Sequence, residues 1–325
     1  MRYYFHLTLE EREDIMMLSK LGKTVTEIAA YTCRDKSTIS REIARNGCGH
    51  YYRASTAQRR YKKRRKACCR PHLLDDQKLF ETVQAKFLEE QWSPEEVEGR
   101  IALEKGYKPV SDTTIYRAIA AGRFDYCIGG RKASCRLRHK GKRRKRHDSS
   151  ELRGKIKISH DITERPVDAE FRLRLGDWEG DTVAGHTLGA CLVTFVDRKS
   201  GYLEGGKAPR QASSEVSKVQ IKSLRGHPLE SVTLDRGKEN AKHADVTAAL
   251  GVEFYFALPH HPWQRGSNEN TNGLLREYFP KGKSLDGVTE KEVRLVYDKL
   301  NRRPRKRLGY RTPYEVHYSE LLHLI

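Results

Sequence analysis

A chain of 325 residues has room for two or three domains, and 33% charged against 37% apolar residues suits small or elongated ones. No apolar run approaches the ~18 residues of a membrane span, and the start, MRYYFHLTLEER, has no apolar signal-peptide core, so membrane and secretory roles are not expected. A net charge of +20 disfavours basic partners and points to a polyanion, nucleic acid first, with a merely solubilising surface as the plainer alternative.

Residues 7 to 47 read as three helices. Thr8 with Glu11, and Thr24 with Glu27, are capping boxes, in which the hydroxyl takes a backbone N–H and the Glu reaches back. Leu9, Ile15, Met16 and Leu18 supply the apolar face of the first helix. Val25, Ile28 and Ala29 supply that of the second. The third, DKSTISREIARNG, takes Asp35 as its cap, turns Ile39 and Ile43 inward and closes at Gly47. Two short helices after a longer one make a helix-turn-helix. Lys36, Ser37, Thr38, Ser40, Arg41 and Arg45 on the outer side are donors suited to base edges and phosphates. We assign 1–50 to this domain and 51–70, which contains RRYKKRRK, to a basic linker or phosphate-tracking helix.

Residues 71–124 form a second helical unit. Ser93-Pro-Glu-Glu96 is another capping box, with Pro at the first helical position. SDTTIYRAI (111 to 119) repeats the T-I-x-R-x-I pattern of DKSTISREI (35 to 43). The expectation is a second helix-turn-helix with Thr113, Tyr116 and Arg117 facing DNA; a plain helical domain is the alternative. Residues 125–165 follow as a basic linker, with ten Lys or Arg between 131 and 147. Seven cysteines lie along the chain without a CxxC. Cys127, Cys135 and His139 lack a fourth ligand, and reduced thiols fit a cytoplasmic, nucleoid-associated protein.

From 166 to 325 the character changes. Strands are expected near 175 to 185 and over ACLVTFVD, with GYLEGG as a hairpin partner. A helix over SSEVSKVQIKSL, a strand SVTLD, a helix HADVTAAL and a strand VEFYFAL follow. Strands first in a meander, then alternating with helices, predict a mixed sheet covered by helices. HPWQRGSNENTNG (261 to 273) reads as a loop, with Asn268 as N-cap ahead of Glu269. Asp181 sits in the first strand, Asp235 ends a central one, and 33 residues separate Asp235 from Glu269. Carboxylates without His or Cys partners suit Mg²⁺ or Mn²⁺, and two such ions would hold a phosphodiester in line for displacement. A lone strand-end Asp is more often a turn or cap residue. Of the nearby acids, Asp177 is expected in a turn, Asp197 in a structural role, and Glu239 as a cap or a metal contact. Trp178 and Trp263 are expected to pack, and His260 and His261 to lie in the loop.

WEGDT (178 to 182), LVTFVDRKSGYLEG (192 to 205), TLDRGKEN (233 to 240), HPWQRGSNENTNGLLREYFPKG (261 to 282) and LNRRPRKRLGYRTPYE (300 to 315) resemble the DDE transposase and retroviral-integrase superfamily. They are most similar to bacterial transposases of the insertion-sequence-thirty family, and the resemblance spans nearly the whole chain. It implies an RNase H-like catalytic core with a C-terminal helical tail. Asp181, Asp235 and Glu269 would be its catalytic and metal-holding triad, with two Mg²⁺ or Mn²⁺ ions. Arg276 would contact DNA near the scissile phosphate. The resemblance also implies binding of terminal inverted repeats and target DNA, strand cleavage, 3′-OH strand transfer, and a homodimer or higher oligomer on DNA. Arg236 departs from the wider superfamily, where Asn often follows the second Asp. The zinc module of retroviral integrases has no counterpart here, which favours the bacterial reading. A non-catalytic DNA-binding regulator or domesticated transposase, or an RNase H-fold nuclease such as a resolvase, are the rival readings.

Overall fold

The computed structural model describes residues 5–47, 51–68, 71–125, 132–138, 156–185, 189–259 and 261–325. The chain divides into two units, Met1–His72 and Leu73–Ile325. Cys127, His139 and most of the basic run 131–147 lie outside the described residues.

In the first unit α1 (Leu9–Lys20), α2 (Val25–Tyr31) and α3 (Lys36–Asn46) form where the capping pattern sets them. Thr8 and Thr24 each complete the expected box with Glu11 and Glu27. Asp35 stands at the N-cap of α3 but makes no capping bond through its side chain. Ile15, Ile28 and Ile39 close the core, whereas Leu9 is exposed, because it sits at the first turn beyond the packed stripe. Behind α3 the buried Arg12 donates Nε to Glu42 at 2.9 Å and Nη1 to Gln58 at 2.7 Å, and the Tyr52 hydroxyl also donates to Glu42. A buried charge is tolerable only when paired in this way. The RRYKKRRK stretch belongs to α4 (Ala54–Ala67), which buries only Ala54 and Ala57.

The second unit opens with α5 (Gln77–Gln84), a π turn over Ala85–Glu89, α6 (Pro94–Lys105) and α7 (Asp112–Ala120), packed on Phe87, Trp92, Ile101, Ile115 and Phe124. A short strand, β1 (His160–Asp161), which the sequence pattern does not signal, precedes α8 (Val167–Phe171). Then come β2 (Asp177–Ala184), β3 (Cys191–Asp197), β4 (Leu203–Ala208), α9 (Ser213–Leu224), β5 (Ser231–Leu234), α10 (His243–Leu250), β6 (Glu253–Phe256), α11 (Gly266–Tyr278), α12 (Glu290–Asn301) and α13 (Pro313–Tyr318). The sheet order is β1-β6-β5-β2-β3-β4. The β2–β3–β4 meander is antiparallel, and β5, β6 and β1 add in parallel. This is the expected mixed α/β sheet, in the RNase H-like arrangement the resemblance implies. One face buries Trp178, Val232 and Phe254 under α9 and α10. The other buries Val183, Leu192 and Val196 under α11 and α12.

Two buried arginines tie the helices of this unit to the end of its chain. Arg100 of α6 forks onto Glu315 of α13 at 2.7 and 2.8 Å, and Arg303 sits between Glu96 at 2.8 Å and Glu277 at 3.1 Å. The fork lowers the Glu315 carboxyl to about 2 despite the burial that opposes it.

The structure corrects several sequence readings. Asp177 is no turn residue: it opens β2, fully buried, taking the Ser231 hydroxyl at 2.6 Å and Arg174 Nε at 3.0 Å. The stretch 261 to 273 is not a loop. A 3₁₀ turn, Pro262–Arg265, runs straight into α11, so Arg265 holds the N-cap position and Asn268 lies inside the helix with 0% exposure. Trp178 packs as expected, its Nε1 donating to Pro228 O at 2.8 Å, but Trp263 is 68% exposed and leans on His261. His260 lies outside the described residues.

Candidate active site and nucleic-acid contacts

Side chains alternate along a strand, so Asp177, Glu179, Asp181 and Val183 share the face of β2 that α11 covers. One turn of helix advances about 6 Å over four residues, and two strand residues advance about 6.6 Å. The near match sets two asparagines of α11 above two acids of β2. Asn268 donates its backbone N–H to Glu179 Oε2 at 3.0 Å and its amide to Glu179 O at 2.8 Å. Asn272 donates to Asp181 Oδ2 at 2.8 Å. The Thr194 hydroxyl, on the neighbouring strand, lies 3.2 Å from Asn268 Oδ1 and 3.3 Å from Asn272 Oδ1. Glu179 is neutralised by the buried Arg198. The amide-rich segment is therefore helical because its amides are the matching layer for a polar sheet face. That tertiary gain overrides weak helix propensity.

Asp235 follows β5 on the other side of β2. The parallel pairing sets Glu179 opposite Thr233, and two residues further on it brings Asp181 level with Asp235. Gly237 N and Asn240 Nδ2 both donate to Asp235 Oδ1, at 3.1 and 2.9 Å. Arg265 spans the two aspartates, with Nη1 at 3.5 Å from Asp181 Oδ1 and Nη2 at 3.4 Å from Asp235 Oδ2, and is steadied on Gly180 O at 3.1 Å. Burial pushes the Asp181 carboxyl up to about 6; Asp235 adds to the shift while Arg265 opposes it.

Glu269 is exposed on α11. It lies four residues after Arg265, three before Asn272 and seven before Arg276, so it shares their helical stripe. The structure thus joins Asp181 and Asp235 through one guanidinium and sets Glu269 on the stripe above them. Among the described residues no three His, Cys, Asp or Glu side chains stand close enough to hold a metal ion. Arg276 is half-buried, donating to Ala184 O at 2.9 Å, and burial lowers its pKa.

The neighbouring acids divide by face. Glu239 accepts from the Thr182 hydroxyl at 2.9 Å and Gln211 Nε2 at 3.0 Å, and Thr182 points away from the face of Asp181. Asp197 is structural as expected, taking Gly176 N at 2.9 Å and both Ser200 N and Oγ. Arg236, the departure noted above, ties Asp161 of β1 at 2.8 Å. Sequence reasoning missed Arg265; its only signal was a cation four residues before Glu269.

The nucleic-acid candidates also separate. Lys36, Ser37, Ser40, Arg41 and Arg45 are exposed along α3, with Thr38 half-buried. Thr113, Tyr116 and Arg117 are exposed on α7. No helix among the described residues is long and apolar enough to cross a membrane.

Residues 4–46 match a family model described as a helix-turn-helix domain. The chain is 38% identical over 315 residues to the transposase for insertion sequence element IS4351 of Bacteroides fragilis, covering 95% of this chain and 94% of that one. It is 37% identical over 319 residues to the transposase InsI for insertion sequence element IS30A of Escherichia coli (strain K12), covering 96% and 83%. Among solved structures, the catalytic core domain of BIV integrase aligns with 44% of this chain and 93% of its own, at 20% identity and a TM-score of 0.35.

Proposed function

The chain belongs to the insertion-sequence-thirty (IS30) family of transposases, and from that premise we propose that Asp181, Asp235 and Glu269 are its catalytic residues. In this reading the protein cuts DNA at the ends of its element and transfers the freed 3′-OH to target DNA. The observation that carries the proposal is the paired Asp181 and Asp235, held level across two strands with a cation already between them. Two hard oxygen donors that converge on a guanidinium fit a divalent cation in chemistry and charge. Asp181, Asp235 and, from the stripe above, Glu269 would hold Mg²⁺ or Mn²⁺ in a pair. Bound there, the ions would activate the attacking oxygen and neutralise the leaving 3′-oxygen.

The chain's own groups prepare this site. Asn272 and Thr182 N fix the Asp181 carboxylate, and Asn240 and Gly237 N fix that of Asp235. Arg265 offsets their mutual repulsion, a role that a bound divalent cation would share. The α3 face of Lys36, Ser37, Thr38, Ser40, Arg41 and Arg45 reads the terminal repeats. Two element ends must be held at once, so a dimer or larger assembly forms on DNA.

The test separates binding from chemistry. Asp181→Asn, Asp235→Asn and Glu269→Gln are assayed for strand cleavage of an element-end duplex in Mg²⁺ and for its binding in EDTA. Cleavage falls by roughly a thousandfold or more in each, as expected when charge stabilisation at the reacting phosphate is removed, while affinity stays within about threefold. In the wild type, divalent-cation affinity read by titration calorimetry declines as pH falls through about 6, because burial raises the Asp181 carboxyl of the metal-free protein to about 6 and a proton then competes with the cation. A variant that still cuts removes its residue from the site. Wild-type protein that binds the end and never cuts it would support the regulator reading instead.

A further inference from the structure

The second unit contains a cleft of about 550 Å³ that shares only Tyr116 with the DNA-facing candidates above. Its lining is cationic: Arg136, Arg138, Arg303, Arg305, Lys306 and Arg307 face only two carboxylates, Glu95 and Glu96. The acids are already committed. Glu96 holds Arg303 at 2.8 Å, and Glu95 holds Lys306 at 2.6 Å. Arg136, Arg138, Arg305 and Arg307 have no ion pair among the described residues. Arg305 donates to Leu300 O at 3.1 Å, and Arg307 to Lys199 O at 3.0 Å.

Gathering like charges without partners costs free energy that a polyanion removes. The cost is visible at Arg305, which burial and the cations of Arg303, Arg307 and Arg138 pull down to about 10 against a lift from Glu96. Four planar guanidiniums suit phosphate oxygens, which they grip in pairs.

The position of the cleft says which polyanion. Arg138 reaches Asn270 Oδ1 at 3.2 Å, and Asn270 directly follows Glu269. Its guanidinium crosses α11 at Gly273, where a Cβ would stand 2.6 Å from Nη2. On the opposite wall Tyr116 of α7 is 43% exposed and offers a ring for stacking. Gln91, also in the lining, buries its Oε1 with no hydrogen-bond partner among the described residues, an acceptor suited to a base N–H. One wall of the cleft is thus the Asn270 and Leu274 face of α11, the helix that also carries the proposed catalytic Glu269, and its volume holds about one nucleotide and its flanking phosphates.

We propose that this cleft binds the sugar-phosphate backbone of a single DNA strand along the helix that carries Glu269, with phosphates on Arg136, Arg138, Arg305 and Arg307 and a base against Tyr116. The proposal rests on the transposase reading for the identity of the strand, but it is tested without cleavage.

Full-length protein is titrated in EDTA with fluorescent oligothymidylate over a range of salt. Wild type is compared with the double variant Arg136→Gln/Arg138→Gln, whose side chains are exposed, and with Tyr116→Ala. Unchanged melting temperatures confirm that the variants fold. Each lost phosphate contact lowers the slope of log K against log salt by about 0.7 on single strands, so the double variant should lose about 1.4. Its affinity should fall roughly tenfold at low salt, and that of Tyr116→Ala several-fold. Deoxynucleoside monophosphate and inorganic phosphate are used as competitors. Competition at micromolar concentration would identify a small-anion site and overturn the proposal, as would unchanged affinity and slope in the double variant. Asp235→Asn separates the two readings, since it should keep full oligothymidylate affinity whatever it does to cleavage.

Discussion

Helices α3 and α7 carry the same T-I-x-R-x-I pattern, yet the fold gives them different company. In α3 the buried positions are Ile39, Glu42 and Asn46, with Lys36, Ser37, Ser40, Arg41 and Arg45 exposed on the outer face. Its first turn offers Lys36, Ser37 and Thr38, donors for a phosphate or a base edge. In α7 the buried positions are Ile115, Ala118 and Ile119, set in a core with Phe87 and Trp92. Its N-terminus is already occupied by acid: Asp112 N donates to Glu98 Oε2 at 2.7 Å. Carboxylates there repel the phosphates that a reading helix must approach, and whereas Lys36 offsets the Asp35 N-cap of α3, the first turn of α7 carries no cation. The shared pattern therefore specifies which side of a helix packs. What the other side does depends on what stands beside its first turn. Thus α3 presents the face proposed above to read DNA, while α7 forms one wall of a cleft.

Three measurements press on this contrast. The largest effect is expected from Arg100→Met, which strands Glu315 in the interior without its counter-ion. It should cost about 3–5 kcal/mol, and α7 should lose its hydrogen-exchange protection together with β2 and β5. If α7 opened alone, it would be an independent domain like the α1–α3 unit, and the contrast would collapse. Next comes Arg41→Ala on α3. It should narrow the preference for the terminal repeat over random DNA by about 1–3 kcal/mol, read by competition binding. Equal loss on both sequences would make Arg41 a backbone contact only. The smallest effect belongs to Arg117→Ala on α7, which should leave that preference unchanged and weaken all DNA by about threefold or less, roughly 0.6 kcal/mol. A sequence-dependent loss there would restore α7 as a second reading helix.

Local signals made much of this structure legible. Capping boxes at Thr8, Thr24 and Ser93 fixed helix starts because their hydrogen bonds close within four residues. Apolar runs ending in acids marked β3, which ends at Asp197, and β5, which brought Asp235 into view. What sequence could not reveal depends on distant partners. Asn268 reads as a cap until Glu179 is known to lie beneath it. Asp177 reads as a turn residue until Ser231 and Arg174 supply its bonds. Arg100 and Glu315 are 215 positions apart, and no periodicity announces such a pair. Arg265 looked like one more surface cation in a basic chain. Trp263 failed in the opposite sense: the ring that composition would bury projects into solvent beside His261.

The pairing of β2 with β5 carries a consequence for how this protein can change. The two aspartates sit level because a parallel ladder aligns Glu179 with Thr233. A ladder shifts only by whole residues, and a one-residue slip turns a side chain to the opposite face. Their spacing is thus a digital quantity. Mutations that loosen the surrounding core cannot stretch it by degrees; they leave it intact or discard it. Natural variation is then free to remodel helices, loops and the basic surface, and with them the DNA that is chosen. The distance between the two acids stays constant because backbone hydrogen bonds, which among substitutions only proline would remove, hold the two strands in register.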